Sequence, residues 1–209
     1  MKIVFTGGGT GGHFYPIIAV AEELRTLIKE RAIIEPELYF FGPSAFDERA
    51  LFENDITFVR TASGKMRRYF SLLNITDSFK TFFGIIDTTL KLYDIYPDIV
   101  FSKGGYGSVP TLIAAHLLRI PVVIHDSDAV PGRATLLAAP FAKKIGISYE
   151  EAYDKFPKAV QSKIALVGNP VRTEIRIPAK EGAHEFLDLE NNVPVILILG
   201  GSSGAEKVN

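Results

Sequence analysis

Short apolar runs alternate with longer amphipathic segments along most of the chain, and this alternation predicts strands separated by helices. Seven runs are typical of buried strands, at residues 3–5, 38–41, 56–60, 98–102, 121–124, 143–148 and 164–167. Strands joined through helices pair in parallel and have both faces of their sheet covered. The sequence therefore predicts an α/β domain built on a doubly wound parallel sheet.

Three segments carry the periodicity of helices. The first helix is predicted to open at Pro16, because a proline in the first turn loses no hydrogen bond. The second is predicted over residues 69–93, with one apolar stripe that we expect to face the core: Leu72, Ile75, Phe79, Phe82, Ile86 and Leu90. A third helix is predicted over residues 110–118.

The composition changes after Arg172, and this change predicts a domain boundary. Residues 1–172 form the predicted N-terminal Rossmann-like domain, and the polar residues 173–192 form a linker with a short helix near 184–187. Residues 195–199 (VILIL) run into a new glycine loop, which repeats the opening of the chain. One strand cannot bury a core by itself, so residues 193–209 are interpreted as the start of a second Rossmann-like domain truncated after its first strand.

Composition narrows the class of protein. Hydrophobic residues make up 47% and charged residues 22%, which is enough apolar material for a full core. The formal net charge of −1 argues against a nucleic-acid partner. The chain has no cysteine, which excludes disulfides and thiolate metal sites. Without a signal peptide or a long apolar run, we expect a cytoplasmic globular protein that is peripheral on the inner face of the cell membrane.

Residues 5–16, FTGGGTGGHFYP, join the first strand to the first helix through a glycine-rich loop. Free backbone N–H groups and the positive end of a helix dipole make such a turn an anion site. Gly7, Gly9 and Gly12 also satisfy the dinucleotide fingerprint, but no carboxylate follows the second strand to bind a ribose. A phosphate loop of the Walker type would need a lysine where His13 stands, and a turn that serves only close packing remains an alternative.

A second strand–glycine–helix turn occurs at residues 103–108, KGGYGS, ahead of Pro110. The next strand ends in His125-Asp126-Ser127-Asp128, so ionisable groups are predicted at the same carboxyl edge of the sheet, where ligands bind. A plain tight turn is the alternative for the glycines, and helix capping is the alternative for Asp128. No nearby residue completes a metal ligand set with His125 and Asp128, so no metal is predicted.

A further set of apolar residues does not fit the predicted core-facing stripe: Tyr69, Phe70, Leu73 and Phe83. Positive charges lie close by in the sequence, at Lys65, Arg67, Arg68 and Lys80. An apolar patch within a basic ring favours a membrane surface. We therefore define a candidate membrane patch of Phe70, Leu73, Arg67 and Arg68, with burial under a neighbouring loop as the alternative.

Five motifs, in order along the whole chain, resemble the MurG family of glycosyltransferases. They are GGTGGHFYP at 8–16, SKGGYGSVP at 102–110, HDSDAVPG at 125–132, VGNPVR at 167–172 and GGSSGAEKVN at 200–209. The resemblance implies a GT-B fold, in which two Rossmann-like domains face each other across a cleft. It also implies transfer of N-acetylglucosamine from its UDP donor to a lipid-linked muramyl-pentapeptide pyrophosphate, with inversion and without a metal or other cofactor.

The resemblance further implies roles for single residues. His13 is the candidate base that takes the proton of the acceptor hydroxyl, and Asp126, one methylene shorter than the family's glutamate, would orient that base or bind the acceptor sugar. The implied acceptor and phosphate contacts are Gly11, Gly12, Gly104, Gly105 and Tyr106. The implied donor contacts are Thr10, Gly11, Gly12, Asp128, Arg172 and Ser202.

Three other functions stay open on the sequence alone. The first is another lipid-acceptor glycosyltransferase of the same fold, such as a diacylglycerol sugar transferase. The second is a non-catalytic membrane-recruiting subunit of a split enzyme, which residues 195–209 disfavour because a separate acceptor half should end near Arg172. The third is a nicotinamide dehydrogenase, which the missing acidic residue after Phe41 disfavours. Since most of the donor site is absent, we expect residues 1–209 alone to be inactive.

Overall fold

A computed structural model describes residues 1–64, 73–177, 182–190 and 193–198 of the chain. Seven parallel strands form one sheet in the order β3-β2-β1-β4-β5-β6-β7. The strands are β1 (Lys2–Thr6), β2 (Glu37–Gly42), β3 (Ile56–Arg60), β4 (Ile99–Ser102), β5 (Val122–Asp126), β6 (Lys144–Ile147) and β7 (Ile164–Leu166). The predicted doubly wound parallel α/β fold is confirmed.

Helices lie on both faces of this sheet and bury two apolar cores. The helices are α1 (Gly11–Glu30), α2 (Glu48–Glu53), α3 (Leu73–Ile95), α4 (Val109–Leu117), α5 (Arg133–Ala138), α6 (Thr173–Arg176) and α7 (Ala183–Phe186). One core, under α1 and α2, centres on Phe5, Phe14 and Phe40. The other, under α3 to α5, includes Leu92, Leu112 and Ile124. The apolar pattern did not predict α2.

The strand order reverses between β1 and β4, which lie side by side at the centre of the sheet. In an open parallel sheet, the crevice beyond the carboxyl ends of the strands at such a reversal is where ligands bind. Both glycine-rich loops follow these two strands, and β5 lies next to β4. The topology therefore brings the three predicted motifs of the N-terminal domain to one place.

Helix α1 begins five residues earlier than predicted, at Gly11, so Pro16 lies inside the helix. The first four residues of any helix have no intrahelical partner for their N–H groups. Pro16 is only the sixth residue, so it removes one early bond, to the carbonyl of Gly12. The earlier start brings the free N–H groups of Gly11 and Gly12 directly to the end of β1.

The prediction that the stripe along the second helix faces the core is wrong for the described residues. Helix α3 exposes Ile75 by 58%, Phe79 by 63%, Phe82 by 59%, Ile86 by 47% and Leu90 by 63%, while Leu72 lies outside the described residues. Residues buried by α3 include Thr88 and Leu92, on another side of the helix. The helix packs on α4, and the broader apolar stripe is left uncovered.

The chain after β7 carries only the short helices α6 and α7 in its described part. Residues 195–198 form no strand, contrary to prediction, and Ile196 is 84% exposed. A strand needs a hydrogen-bonding neighbour, and the described residues offer none to this segment; Leu199 lies outside them. No helix in the described ranges is both long enough and apolar enough to cross a bilayer.

Candidate functional site

The first glycine-rich loop leads directly from β1 into α1. Gly9 takes a φ of 103°, a backbone conformation that L side chains rarely adopt. Helix α1 begins at the carboxyl end of β1, so the N–H groups of its first turn are presented at that edge of the sheet. One of them, His13 N, bonds back to Thr10 O at 3.1 Å. This is the geometry of an anion site at a helix N-terminus.

The second glycine-rich loop touches the first. A Cβ placed on Gly105, whose φ is 81°, would collide with the carbonyl oxygen of Gly8. A Cβ on Gly9 would lie 2.5 Å from the ring of Tyr106. The absence of side chains at these glycines therefore lets the two loops pack backbone against backbone.

A cavity of about 300 Å³ opens between the two loops and the end of β5, and we call it the loop cleft. Its lining is polar and combines residues that are far apart in sequence: Thr10, Gly12, His13, Pro16, Lys103, Gly105, Asp126, Ser127, Asp128, Gly132, Thr135 and Asn169. Six of the residues proposed from the sequence are therefore brought together, namely Thr10, Gly12, His13, Gly105, Asp126 and Asp128.

His13 lies in the first turn of α1 with its ring partly buried in the loop cleft. Its Nδ1 lies 3.0 Å from Thr10 Oγ1, and Nε2 makes no hydrogen bond with any described residue. Burial is the main cause that lowers the pKa of His13, and the positive charge of Lys103 lowers it further. The negative charges of Asp128 and Asp126 oppose this shift. The imidazole is therefore neutral near pH 7, and it can accept a proton at Nε2 in the tautomer in which Nδ1–H donates to Thr10 Oγ1.

Asp126 is buried at the end of β5, and both of its carboxylate oxygens accept backbone hydrogen bonds. Asp128 N donates to Oδ1 at 2.9 Å, and Gly132 N donates to Oδ2 at 3.0 Å. These bonds fix the loop that leads to α5. Asp128, in contrast, makes no side-chain hydrogen bond within the described part of the chain, and it is not the N-cap of α5, which is Gly132.

Sequence reasoning missed Lys103, Ser127 and Asn169, which form a hydrogen-bonded chain across the loop cleft. Lys103 Nζ donates to Ser127 Oγ at 2.5 Å, and Ser127 Oγ donates to Asn169 Oδ1 at 2.5 Å. Lys103 is 3% exposed, and burial lowers its pKa to about 8 against the opposing charges of Asp126 and Asp128. The sequence signal that could have indicated Lys103 is its position between a buried strand and a glycine turn.

Several predicted site residues lie beside the loop cleft rather than in its lining. A Cβ on Gly11 would approach Phe46 at 3.2 Å, and Tyr106 packs on Gly9. Gly104 takes a φ of 81°, and its N–H donates to Ser102 Oγ at 3.1 Å. The guanidinium of Arg172 stacks 4.2 Å from the ring centre of Tyr15.

Four predicted residues, Arg67, Arg68, Phe70 and Ser202, lie outside the described residues. Leu73 is described, begins α3 and is 55% exposed. Within the described ranges, no group of three or more histidine, cysteine, aspartate or glutamate side chains is arranged to hold a metal ion.

His125, next to Asp126, is buried at the end of β5 and joins that strand to the loop after β7. Its Nε2 lies 2.8 Å from Gly168 O, which makes Nε2 the protonated nitrogen of the neutral ring. Burial is the main cause that lowers the pKa of His125, followed by the charge of Lys103. This histidine therefore holds the loop that carries Asn169. Its Nδ1 is buried without a hydrogen-bond partner among the described residues, and His125 does not belong to the lining of the loop cleft.

Comparisons with known proteins agree on this architecture. The glycosyltransferase family 28 N-terminal domain matches residues 3–147. A Treponema denticola protein is 40% identical over 99% of this chain and 54% of its own length, and a Bacillus thuringiensis protein is 41% identical over 100% and 56%. Both are named UDP-N-acetylglucosamine–N-acetylmuramyl-(pentapeptide) pyrophosphoryl-undecaprenol N-acetylglucosamine transferase, which confirms the resemblance to the MurG family. The chain spans about half the length of these relatives.

Among solved structures, the chain is similar to the MurG of Acinetobacter baumannii, with a TM-score of 0.61 at 24% identity. The match covers 85% of this chain and 47% of that one. It supports the predicted fold: the seven-stranded sheet corresponds to one half of a GT-B architecture.

Proposed function

The chain belongs to glycosyltransferase family 28, and we propose that it is the acceptor-binding half of an inverting transferase that moves N-acetylglucosamine from UDP-N-acetylglucosamine to a lipid-linked muramyl pentapeptide. The observation that carries the proposal is the loop cleft, where two glycine turns, a helix N-terminus and a neutral histidine meet. The names of the relatives support this donor and acceptor.

His13 is the base of the proposed reaction. With Nδ1–H donating to Thr10 Oγ1, Nε2 is left unprotonated and able to receive the proton of the acceptor's sugar hydroxyl. That oxygen then forms a bond to the anomeric carbon of N-acetylglucosamine from the face opposite UDP, and UDP leaves with the bonding electrons. Inversion follows from this single displacement.

Backbone groups stabilise the charges of the substrates in this proposal. The free N–H groups of Gly11 and Gly12 and the dipole of α1 favour the phosphates of the substrates. Gly105 lines the opposite wall, and Gly104 precedes it in the second loop. Tyr106 supports the first loop through its contact with Gly9. Because these donors belong to the backbone, they are already oriented before the substrate arrives.

The donor contacts remain proposals for the full-length enzyme. Thr10, Gly12 and Asp128 face the loop cleft, where they can reach the sugar of the donor. Arg172 lies over Tyr15 with its Nε buried and without a hydrogen-bond partner. Ser202 is proposed from its sequence motif.

The exposed face of α3 is the proposed membrane contact. Ile75, Phe79, Phe82, Phe83, Ile86, Leu90 and Tyr93 are 47–66% exposed and share about 100° of the helix circumference. Lys80 lies beside them, and the basic residues Arg67 and Arg68 precede the helix in sequence. An apolar stripe flanked by positive charge fits an anionic bilayer, which would also hold the proposed lipid-linked acceptor. With Phe70 and Leu73, this face would attach the enzyme to the inner surface of the cell membrane.

The proposed function is tested by following transfer of labelled N-acetylglucosamine with the full-length enzyme. We expect transfer to the muramyl-pentapeptide pyrophosphoryl lipid and none to diacylglycerol presented in the same vesicles. Transfer to diacylglycerol alone would replace the proposed acceptor with the other lipid class. Binding of NAD in place of UDP-N-acetylglucosamine would contradict the assignment as a glycosyltransferase.

A further inference from the structure

Lys103 is the buried cation of the loop cleft, and the role of its charge is not explained by the protein alone. Its backbone N–H donates to Thr6 O at 2.9 Å, which fixes it at the end of β4 beside β1. Its stem passes close to the first loop, since a Cβ on Gly7 would lie 3.4 Å from Lys103 Cβ. The side chain is 3% exposed and reaches the cleft lining.

The ammonium group of Lys103 has fewer partners than its burial requires. It has three donors, and in the described structure only Ser127 Oγ accepts from it. It forms no ion pair with any described carboxylate. Asp126, whose charge raises the pKa of Lys103 more than that of Asp128 does, already uses both oxygens for loop amides. A buried ammonium without a paired anion is destabilising, so an anionic ligand would satisfy it.

The surroundings of Lys103 indicate what kind of anion would fit. Gly105 and Gly12 line the same cavity and present backbone without side chains, so a phosphate group can approach closely. The cavity of about 300 Å³ has room for more than one phosphate group. Among the described residues that line it, Lys103 is the only lysine or arginine.

We propose that Lys103 binds a non-bridging oxygen of the acceptor's pyrophosphate and so places the muramyl sugar next to His13. This inference rests on the proposed function, because it takes the acceptor from there. Ser127 and Asn169 orient the ammonium group through the hydrogen-bonded chain, so the loop after β7 contributes to the same subsite.

The test compares binding of two acceptor analogues to the full-length protein by calorimetry. One is a short-chain polyprenyl pyrophosphoryl muramyl pentapeptide, and the other is the same muramyl pentapeptide as a neutral alkyl glycoside. Lys103→Met keeps most of the length of the side-chain stem and removes the ammonium group with its charge. We expect it to weaken binding of the pyrophosphoryl analogue by roughly 10-fold to 100-fold, the range for a charge-assisted hydrogen bond, and to leave the neutral analogue unchanged.

Two further variants distinguish the effect of the charge of Lys103 from a structural effect of the substitution. Lys103→Arg keeps the positive charge and should recover part of the affinity for the pyrophosphoryl analogue. Lys158→Met removes a positive charge from an exposed site away from the loop cleft and should change neither affinity. Equal loss of both analogues with Lys103→Met would give Lys103 a purely structural role and overturn the inference.

The pH dependence of binding provides a second readout. Wild-type affinity for the pyrophosphoryl analogue should fall as pH rises through about 8, where Lys103 loses its proton, and Lys103→Met should abolish this dependence. The other charged or titratable groups that face Lys103 are His13, His125, Asp126 and Asp128. Both histidines have pKa values below the usual 6.5, so neither of them changes charge in this range.

The outcomes distinguish this inference from the function on which it rests. If the wild-type protein binds neither analogue, the proposed acceptor is wrong, and the inference falls with it. If the wild-type protein binds the pyrophosphoryl analogue and Lys103→Met binds it equally well, only the role of Lys103 is wrong.

Discussion

Two ionisable side chains of the loop cleft, His13 and Asp126, differ in what their hydrogen bonds leave free. His13 uses Nδ1 for Thr10 and keeps Nε2 without a partner among the described residues. Asp126 uses both carboxylate oxygens for backbone amides. The geometry therefore favours His13 for proton transfer, whereas Asp126 holds the loop between β5 and α5 in place.

Replacing His13 by alanine should lower kcat of the full-length enzyme by roughly 10²–10⁴, the usual contribution of a general base. The wild-type kcat/KM should fall as pH drops below the pKa of His13, which lies below 6.5 because burial and Lys103 disfavour the protonated ring. Steady-state rates across this pH range check both points. A loss confined to KM would restrict His13 to a binding role.

Replacing Asp126 by asparagine should destabilise the protein. One carboxylate oxygen becomes an NH₂ group that faces a backbone N–H, so one buried donor loses its acceptor. We expect the free energy of unfolding to fall by about 1–3 kcal/mol, measured by urea denaturation. Asp128→Asn is the matched control, since its side chain makes no hydrogen bond in the described structure, and it should change stability by less than about 0.5 kcal/mol.

The sequence predicted residues with obvious chemistry better than residues whose role depends on burial. His13, Asp126 and Asp128 could be proposed because they follow strands and glycine turns within recognisable motifs. The importance of Lys103 depends on being 3% exposed, and that of Asn169 on a contact 42 positions away with Ser127. Neither property is visible in local sequence.

At the scale of elements, the two glycine-rich loops behave as one packed unit. Gly105 has a φ of 81°, and any side chain there would meet the carbonyl of Gly8. Gly12 has open space around it, since a Cβ would meet only Thr10 Oγ1, at 3.7 Å. Gly105 is therefore required for the packing of the two loops, whereas the lack of a side chain at Gly12 is explained by the close approach of a ligand.

Gly105→Ala should destabilise the protein by more than about 1 kcal/mol, because a positive φ alone costs an L residue that much before the collision is counted. Gly12→Ala should leave thermal stability unchanged or slightly raise it, since alanine favours a helix. It should nevertheless weaken binding of the pyrophosphoryl analogue if the phosphate approaches this backbone. Thermal denaturation and calorimetry on both variants test the two statements, and unchanged binding by Gly12→Ala would place the phosphate elsewhere.

Helix α3 shows why periodicity predicted an element correctly and its environment wrongly. The spacing of Ile75, Phe79 and Phe82 indicates one face of a helix, and the helix is present. Periodicity does not say whether protein or some other apolar phase covers that face. The strands were easier to predict because a parallel sheet is covered on both sides by its own helices.

Replacing Phe79 and Phe82 together by serine should reduce binding to anionic vesicles by at least about tenfold, because binding strength scales with buried apolar area. Stability should barely change, since these side chains are 63% and 59% exposed. The control is Phe52→Ser on α2, which removes an 83% exposed phenylalanine from the opposite side of the sheet. Vesicle co-sedimentation measures binding, and equal binding by all three proteins would remove the proposed membrane contact.

At the scale of the whole molecule, the segment after β7 docks back onto α1. Arg172 stacks on Tyr15, and Thr173 N donates to Glu22 Oε2 at 2.9 Å. The loop before it contributes Asn169 to the loop cleft. The segment that was predicted as a domain junction is therefore held by helix α1 near the loop cleft, while the predicted boundary at 172 stays a prediction.

Helix α3 starts at the same edge of the sheet as the loop cleft, so the first part of its exposed stripe lies toward that edge. The helix follows β3, so it starts near the carboxyl edge of the sheet and runs back toward the amino edge, where Ile95 precedes β4. A protein held on a bilayer by this face would search for its acceptor in two dimensions. Its turnover would then follow the mole fraction of acceptor in the bilayer, and diluting the acceptor with inert lipid would slow the reaction at constant total acceptor.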